Sequence, residues 1–224
     1  TDPSDKTGYL ALRYFNGAGA DPRLDANGYR ALMTMKLAES HYDRTGLFND
    51  VFGGKFRVPI RLATAEGVTT IKVPEVLETK SGSRLVMRPF SVQLLPLLES
   101  GEIDYTFEYT SVARQHGVKY LELPPDIDLS DPTNSHYSSV VVKLDFQRFA
   151  SVKPEFPGEV IRYGATIPSN APHPEAATTF LVYLLGPEGQ RIMAENFQPM
   201  IVPALADNLA AVPEPLHELC VAAD

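Results

Sequence analysis

The residues with most to offer chemically are a set of donors at helix starts, with no nucleophile and base among them. From Arg88 to Gly117 the chain reads RPFSVQLLPLLESGEIDYTFEYTSVARQHG, which is turn, helix, strand, helix. Ser91 is placed to cap a helix whose Leu94, Leu95, Leu97 and Leu98 fall on one side. Gly101 stops that helix. Asp104 to Tyr109 reads as a short aromatic strand, and Thr110 or Ser111 opens a second helix ending at Gly117. Two helix N-termini therefore flank one strand. Each carries unbonded N–H groups and about half a positive charge, so together they could hold a small anion. Plain capping explains the same pattern. Asp25 and Asn27 approach the start of another helix, from Tyr29, where capping and ligand contact are both open. Tyr109 at the strand end is either a ligand or core. Glu108 alternates with Phe107, so one of the two faces out.

Other chemistries lack their motifs. No GxSxG elbow, HExxH, GxGxxG or phosphate-loop lysine pattern occurs. His41, His116, His136, His173 and His217 are scattered, without a second His or Cys at metal-ligand spacing. Asp126, Asp128 and Asp131 share a loop but lack the glycine and glutamate of a calcium loop. No residue set argues for an enzyme. The single cysteine, Cys220, excludes an internal disulfide and a cysteine metal cluster.

The elements that must position these residues follow from pattern. With 224 residues, 44% of them apolar, the chain can bury a real core. Its 28 acidic and 20 basic residues give a net charge of −8, which argues against nucleic acid and anionic membranes as partners. A few N–H groups can still attract an anion locally. No stretch is long and apolar enough for a transmembrane helix, and the opening TDPSDKTG shows no signal peptide or lipid-attachment cysteine. Tyr9 to Tyr14 reads as a helical turn, Phe15 to Ala18 as a strand and Tyr29 to Tyr42 as a helix with Leu32, Met33, Met35, Leu37 and Ala38 inward. A short helix from Arg44 closes at Gly53 and Gly54. Strands are expected at Arg57 to Ala63, Thr69 to Val73, Arg84 to Met87, Lys119 to Leu123, Tyr137 to Leu144 and Val160 to Ile167, with a turn at Glu66 and Gly67. Helices follow from Glu175 to Leu185 and through GPEGQ to Asn196, with a short apolar helix in the tail. The alternation favours an α/β fold.

Four stretches carry a wider resemblance: ADPRLDANGYRALMTMKLAESHY, LLESGEIDYTFEYTSVARQHGVKYLELPPDIDLSD, YGATIPSNAPHPEAATTFLVYLL and GPEGQRIMAENFQPMI. They cover most of residues 20–203. With them the chain resembles the archaeal-type molybdate/tungstate-binding proteins of ABC importers, within the type II periplasmic binding fold. The resemblance implies two α/β lobes with the oxyanion in the cleft between them. It implies that residues 1–130 form the second, anion-binding lobe and residues 131–224 return to the first. The N-terminal part of lobe one would then be missing from this chain, leaving one complete lobe and the C-terminal part of the other. The implied ligand set is Asp25, Asn27, Ser91, Val92, Glu108 and Tyr109, with Asp25 the residue to contact the oxyanion's metal centre and no resident metal or cofactor. Family members carry a Lys-Glu-Thr-Asp-like sequence where this chain has Phe90-Ser91-Val92-Gln93, so Ser91 replaces a carboxylate and six-coordination is not implied here. The implied partners are molybdate or tungstate and the membrane subunits of an ABC importer, for a monomer outside the membrane, with any anchor in the missing N-terminus. Sulfate or phosphate is the rival ligand. A truncated or partner-assembled sensing domain that does not bind the anion alone is the rival role.

Overall fold

The computed structural model describes residues 16–145 and 154–223. In chain order the regular elements are β1 Gly17–Ala20, α1 Ala26–His41, α2 Leu47–Phe52, β2 Arg61–Ala65, β3 Val68–Pro74, β4 Leu85–Arg88, α3 Leu95–Glu99, β5 Tyr105–Thr106 and α4 Thr110–Gln115. Then come β6 Val140–Asp145, β7 Glu155–Pro157, α5 Pro174–Leu185, α6 Pro187–Glu195, β8 Ala204–Ala206 and β9 Cys220–Ala222. The fold is mixed α/β, as expected. The chain forms two compact units. The first is Thr1–Glu108 with Leu121–Ile161, and the second is Tyr109–Tyr120 with Arg162–Asp224.

The first unit contains two sheets. In one, β1 lies between β4 and β5, all parallel, in the order β4-β1-β5. Its central strand is GAGA and wholly buried. Ala18 and Ala20 pack with Leu94 and Ile103, while a side chain at Gly19 would meet Met87. Small residues let neighbours approach both faces closely. The other sheet runs β2-β3-β6-β7, parallel only between β3 and β6. The β2–β3 hairpin closes on Glu66 (φ 51°) and Gly67 (φ 79°), the left-handed pair that matches the strand twist of a two-residue turn. Helix α1 is buried nearly all round, and its Leu32, Met33, Met35, Leu37 and Ala38 join Phe48, Ile71, Val73, Val142 and Leu144 in one core.

The second unit holds α4, the α5–α6 pair and the short parallel ribbon of β8 and β9. Gly189 sits where a Cβ would come within 2.1 Å of the Leu184 carbonyl oxygen, so the α5–α6 junction requires glycine there.

Several expectations need correction. The helix expected from Ser91 is split into a 3-10 turn over Ser91–Gln93 and α3, which starts at Leu95 with a proline in its first turn. Ser91 makes no side-chain cap. The cap residue is Phe90, whose N–H donates to Gln93 Oε1 at 3.4 Å. The strand at Asp104 to Tyr109 shrinks to two residues. Lys119 to Leu123 and Val160 to Ile167 form no strand. Strand β6 pairs with β7 as well as with β3, and β7 lies in a stretch for which no strand was expected. The tail from Leu205 forms β8, β9 and two 3-10 turns in place of an apolar helix. The expected turn at Tyr9 to Tyr14 and the first residue of the expected strand at Phe15 lie outside the described residues.

Candidate functional site

In an open parallel sheet, loops that follow the carboxyl ends of the strands form the usual ligand edge. Asp25 and Asn27 follow β1, Ser91 and Val92 follow β4, and Glu108 follows β5. The three parallel strands therefore deliver these residues to one edge of one sheet.

The loop from β1 to α1 is fixed from several sides. Asp21 N–H donates to the Arg88 carbonyl at 2.8 Å, which ties this loop to the end of β4. The N–H groups of Leu24 and Asp25 both donate to the Asp21 carbonyl at 2.9 Å. The Arg23 guanidinium clasps the Asp21 carboxylate, Nε to Oδ1 at 2.8 Å and Nη2 to Oδ2 at 2.5 Å, and also bonds the Glu75 carbonyl. The hydrogen bond to Asp21 holds Arg23 still further above its ordinary pKa, against the opposing effect of burial. Gly28 completes the clamp: a Cβ there would lie 2.4 Å from Ala20 O and 2.6 Å from Pro22 N. Beneath the loop the packing leaves a void of only about 10 Å³ among Ala18, Gly28, Met87 and Phe107, too little for more than one water.

Asp25 is the centre of the arrangement. Its extended backbone (φ −133°, ψ 134°) makes it the N-cap of α1, with Oδ1 accepting from the Asn27 N–H at 2.9 Å. Its Oδ2 accepts from the Ser91 N–H at 2.7 Å, across 66 positions of sequence. One carboxylate thus bonds backbone donors from two loops. A negative group seated on two N–H groups at a helix start is a charge-assisted arrangement. Asn27 and Ser91, whose N–H groups Asp25 holds, are both members of the implied ligand set.

The other expected residues differ in what they offer. Asn27 is buried, and its Oδ1 has no hydrogen-bond partner among the described residues. That atom is an acceptor, and the Asn27 backbone N–H is the donor held by Asp25. Val92 is 66% exposed, and an apolar side chain leaves it only its N–H to contribute. Glu108 ends the first unit, half-buried, with Oε2 shielded from solvent. Tyr109 begins the second unit as the N-cap residue of α4 and makes no side-chain cap. Among the described residues no three His, Cys, Asp or Glu side chains group as a metal-ion site.

Sequence reasoning missed the Asp25–Ser91 bond and the Asp21–Arg23 clasp. The second had a local signal. In DPRLD the aspartate can accept from the N–H two positions on, and here Arg23 N donates to Asp21 Oδ1 at 2.9 Å.

Comparison with known proteins places this geometry in context. A family model described as bacterial extracellular solute-binding protein matches residues 10–197. A protein of Thermococcus kodakarensis named molybdate/tungstate-binding protein WtpA is 35% identical over 201 residues, 89% of this chain and 52% of that protein. One of the same name from Pyrococcus abyssi is 35% identical over 205 residues, 89% of this chain and 54% of its own length. A protein of Staphylothermus marinus, named an uncharacterized solute-binding protein, is 35% identical over 187 residues, 81% of this chain and 51% of that one. The chain spans about half the length of the curated relatives it matches.

Proposed function

The chain belongs to the bacterial extracellular solute-binding proteins, and from that premise we propose that it serves in capturing an oxyanion, molybdate or tungstate, for delivery to an ABC importer. The observation that carries the reading is the bridge of Asp25 to the N–H groups of Asn27 and Ser91. Two loops at the carboxyl edge of a parallel sheet turn backbone donors toward one negative group, which is the geometry a tetrahedral oxyanion needs. The names of the relatives in Thermococcus and Pyrococcus support the choice of molybdate or tungstate.

In this reading no bond of the solute is made or broken. Capture is the exchange of water around the oxyanion for N–H and hydroxyl donors, with Asn27, Ser91 and Val92 offering backbone N–H groups and Tyr109 a hydroxyl. Asp25 is the carboxylate nearest to a bound metal centre, and Glu108 is the one that could supply a second. The protein would work outside the membrane, as a monomer, with importer subunits as its macromolecular partners. The test is calorimetry on the full-length protein, where binding also raises the melting temperature by mass action. Absence of heat and of thermal shift at millimolar molybdate and tungstate would end the transport reading and leave the partner-assembled domain in its place.

A further inference from the structure

We propose that the open edge of β2 is a docking site for an extended acidic segment of a partner protein, which adds to the four-stranded mixed sheet as a fifth strand. The proposal is independent of the oxyanion reading.

The sheet treats its two edges differently. At one edge β7 is three residues long, with Pro154 before it and Pro157 as its last residue, and proline blocks further pairing. At the other, β2 runs for five residues, RLATA, without a proline and in unbroken register with β3. The two-residue turn at Glu66 and Gly67 makes Ala65 and Val68 a hydrogen-bonded pair, and such pairs alternate along the hairpin. Arg61, Ala63 and Ala65 therefore bond to β3, while Leu62 and Thr64 turn their N–H and C=O groups to the open edge. The Thr64 and Thr69 hydroxyls, 3.0 Å apart, fit the closer side-chain spacing of a pair that is not hydrogen bonded. Among the described residues no backbone group outside the sheet bonds to Leu62 or Thr64.

The outer face of the sheet supplies the second observation. Ile71, Val73, Val142 and Leu144 point into the core, so Lys72 and Lys143 between them point away. Arg61 stands opposite Lys72, Lys72 beside Lys143, and Lys143 opposite Glu155. One row across four strands thus holds three cations and one carboxylate, and Glu155 is paired with Lys143. Arg61 and Lys72 are exposed and have no ion-pair partner among the described residues. Like charges directly opposite are unfavourable in a sheet, so this row gains from an added carboxylate although the chain as a whole is acidic. An incoming strand answers both needs. Its backbone pairs with Leu62 and Thr64, and its alternate side chains lie on the cationic face beside Arg61. A second copy of β2 would fill the edge but bring another Arg61 and Lys72. A lipid or nucleic-acid surface could meet the cations but cannot extend the sheet. The partner's signature is therefore Asp or Glu at every second position of an extended segment.

The test follows the backbone amides of the full chain by NMR during titration with two end-blocked peptides. One is Thr-Glu-Val-Glu-Thr-Glu-Val, and the other has the same residues reordered as Glu-Glu-Glu-Thr-Val-Thr-Val. At about 1 mM, the first should shift the amides of residues 61–65 and slow hydrogen exchange at Leu62 and Thr64, with little change in exchange at Ala63. Arg61→Gln and Lys72→Gln lie at exposed positions where folding is little affected. Each should weaken binding about two- to five-fold, the scale of an exposed charge pair. Equal binding of the two peptides, unchanged affinity in both variants, or no response at Leu62 and Thr64 overturns the proposal. Protection of these two amides that grows with protein concentration alone, with a dimer in sedimentation, makes a second copy the occupant and overturns it too.

Discussion

The two units of this chain differ in what they bury. The first packs α1 and α2 on its mixed sheet with Phe48, Ile71, Val73 and Val142 at 1% exposure or less. In the second, Ala113 and Leu216 are the apolar side chains that reach full burial among the described residues. Helix α5 buries none of its residues, although its sequence is PEAATTFLVYLL, and Phe180 and Tyr183 are 59% and 51% exposed. Burial of apolar surface is the main favourable term in folding, and it must offset a large loss of chain entropy. The first unit has the means to do this by itself. The second has the right composition but does not use it internally. The loops that follow β1 and β4 lie on the unit with the larger buried core.

The largest effect expected from this contrast comes from equal truncations in the two units. Phe48→Ala should cost about 3–5 kcal/mol, as for other buried phenylalanines, whereas Phe180→Ala should change stability by about 0.5 kcal/mol or less, as at exposed positions. Urea unfolding of both variants checks this. A comparable loss at Phe180 would show that α5 is packed in solution, and the contrast would fail.

Next come the two tight glycines. Gly28→Ala drives a Cβ into the Ala20 carbonyl and the Pro22 nitrogen, both in the loop that carries Asp25. Its neighbours are buried on every side, so the strain should cost about 1–3 kcal/mol, the range for overpacking. Gly189→Ala meets the Leu184 carbonyl at 2.1 Å, but α5 and α6 are exposed and can part. Its loss should be smaller and confined to amide exchange in those two helices. Gly28→Ala should also weaken anion binding, because Asp25 shifts with its loop.

What could be read from sequence follows the same division between local and distant causes. A capping role for Asp25, the Glu66–Gly67 turn, and the stops at Gly101 and Gly117 were legible because each is set by a few adjacent residues, although α1 begins at Ala26, three residues before the expected Tyr29. Gly101 and Gly117 do adopt positive φ, 75° and 64°. The alternation at Val160 to Ile167 was misleading. Val160 and Ile161 pack on the core without a strand partner, so the pattern records burial. Strand β7 was hidden for the opposite reason: Pro154 and Pro157 suit an edge strand, and its existence depends on β6. At the candidate site, Asp25 as a cap was legible. Its bond to Ser91 was not, because it depends on β1 and β4 being neighbours.

Caps offer a smaller comparison. Helix α1 has a side-chain cap, while α4, α5 and α6 have none. Asp25→Ala should therefore lose about 0.5–2 kcal/mol. His173→Asp, at the N-cap position of α5, should gain a fraction of that, up to about 1 kcal/mol. Thermal melts of both variants test the pair. No gain at His173 would mean that its backbone (φ −137°, ψ 68°) does not let the aspartate reach the first turn.

The smallest effect separates the units by what holds their perturbed carboxylates. In the first unit, the Asp131 carboxyl is held below its usual range, mainly by the Thr133 hydroxyl at 2.7 Å and then by the Thr133 N–H at 2.8 Å. In the second, Glu188 is held down chiefly by its hydrogen bonds to Arg191, with the attraction between the charges adding to them. Both folded values lie below the unfolded ones, about 3.9 for Asp and 4.3 for Glu. Each group's contribution to stability is therefore complete above its unfolded value and is lost as pH falls through the folded one. The causes differ in their response to salt. Thr133 is neutral and bonds at contact distance, whereas Arg191 is a charge on an exposed helix face and is shared with Glu195 at 2.6 Å. Mobile ions screen exposed charges but do little to a neutral hydrogen bond. Carboxyl-carbon titration by NMR, at low salt and at about 1 M where screening is nearly complete, should move Glu188 back toward the ordinary glutamate value and leave Asp131 in place. Equal movement of both would mean that Asp131 owes its shift to charge, and the two units would not differ in this respect.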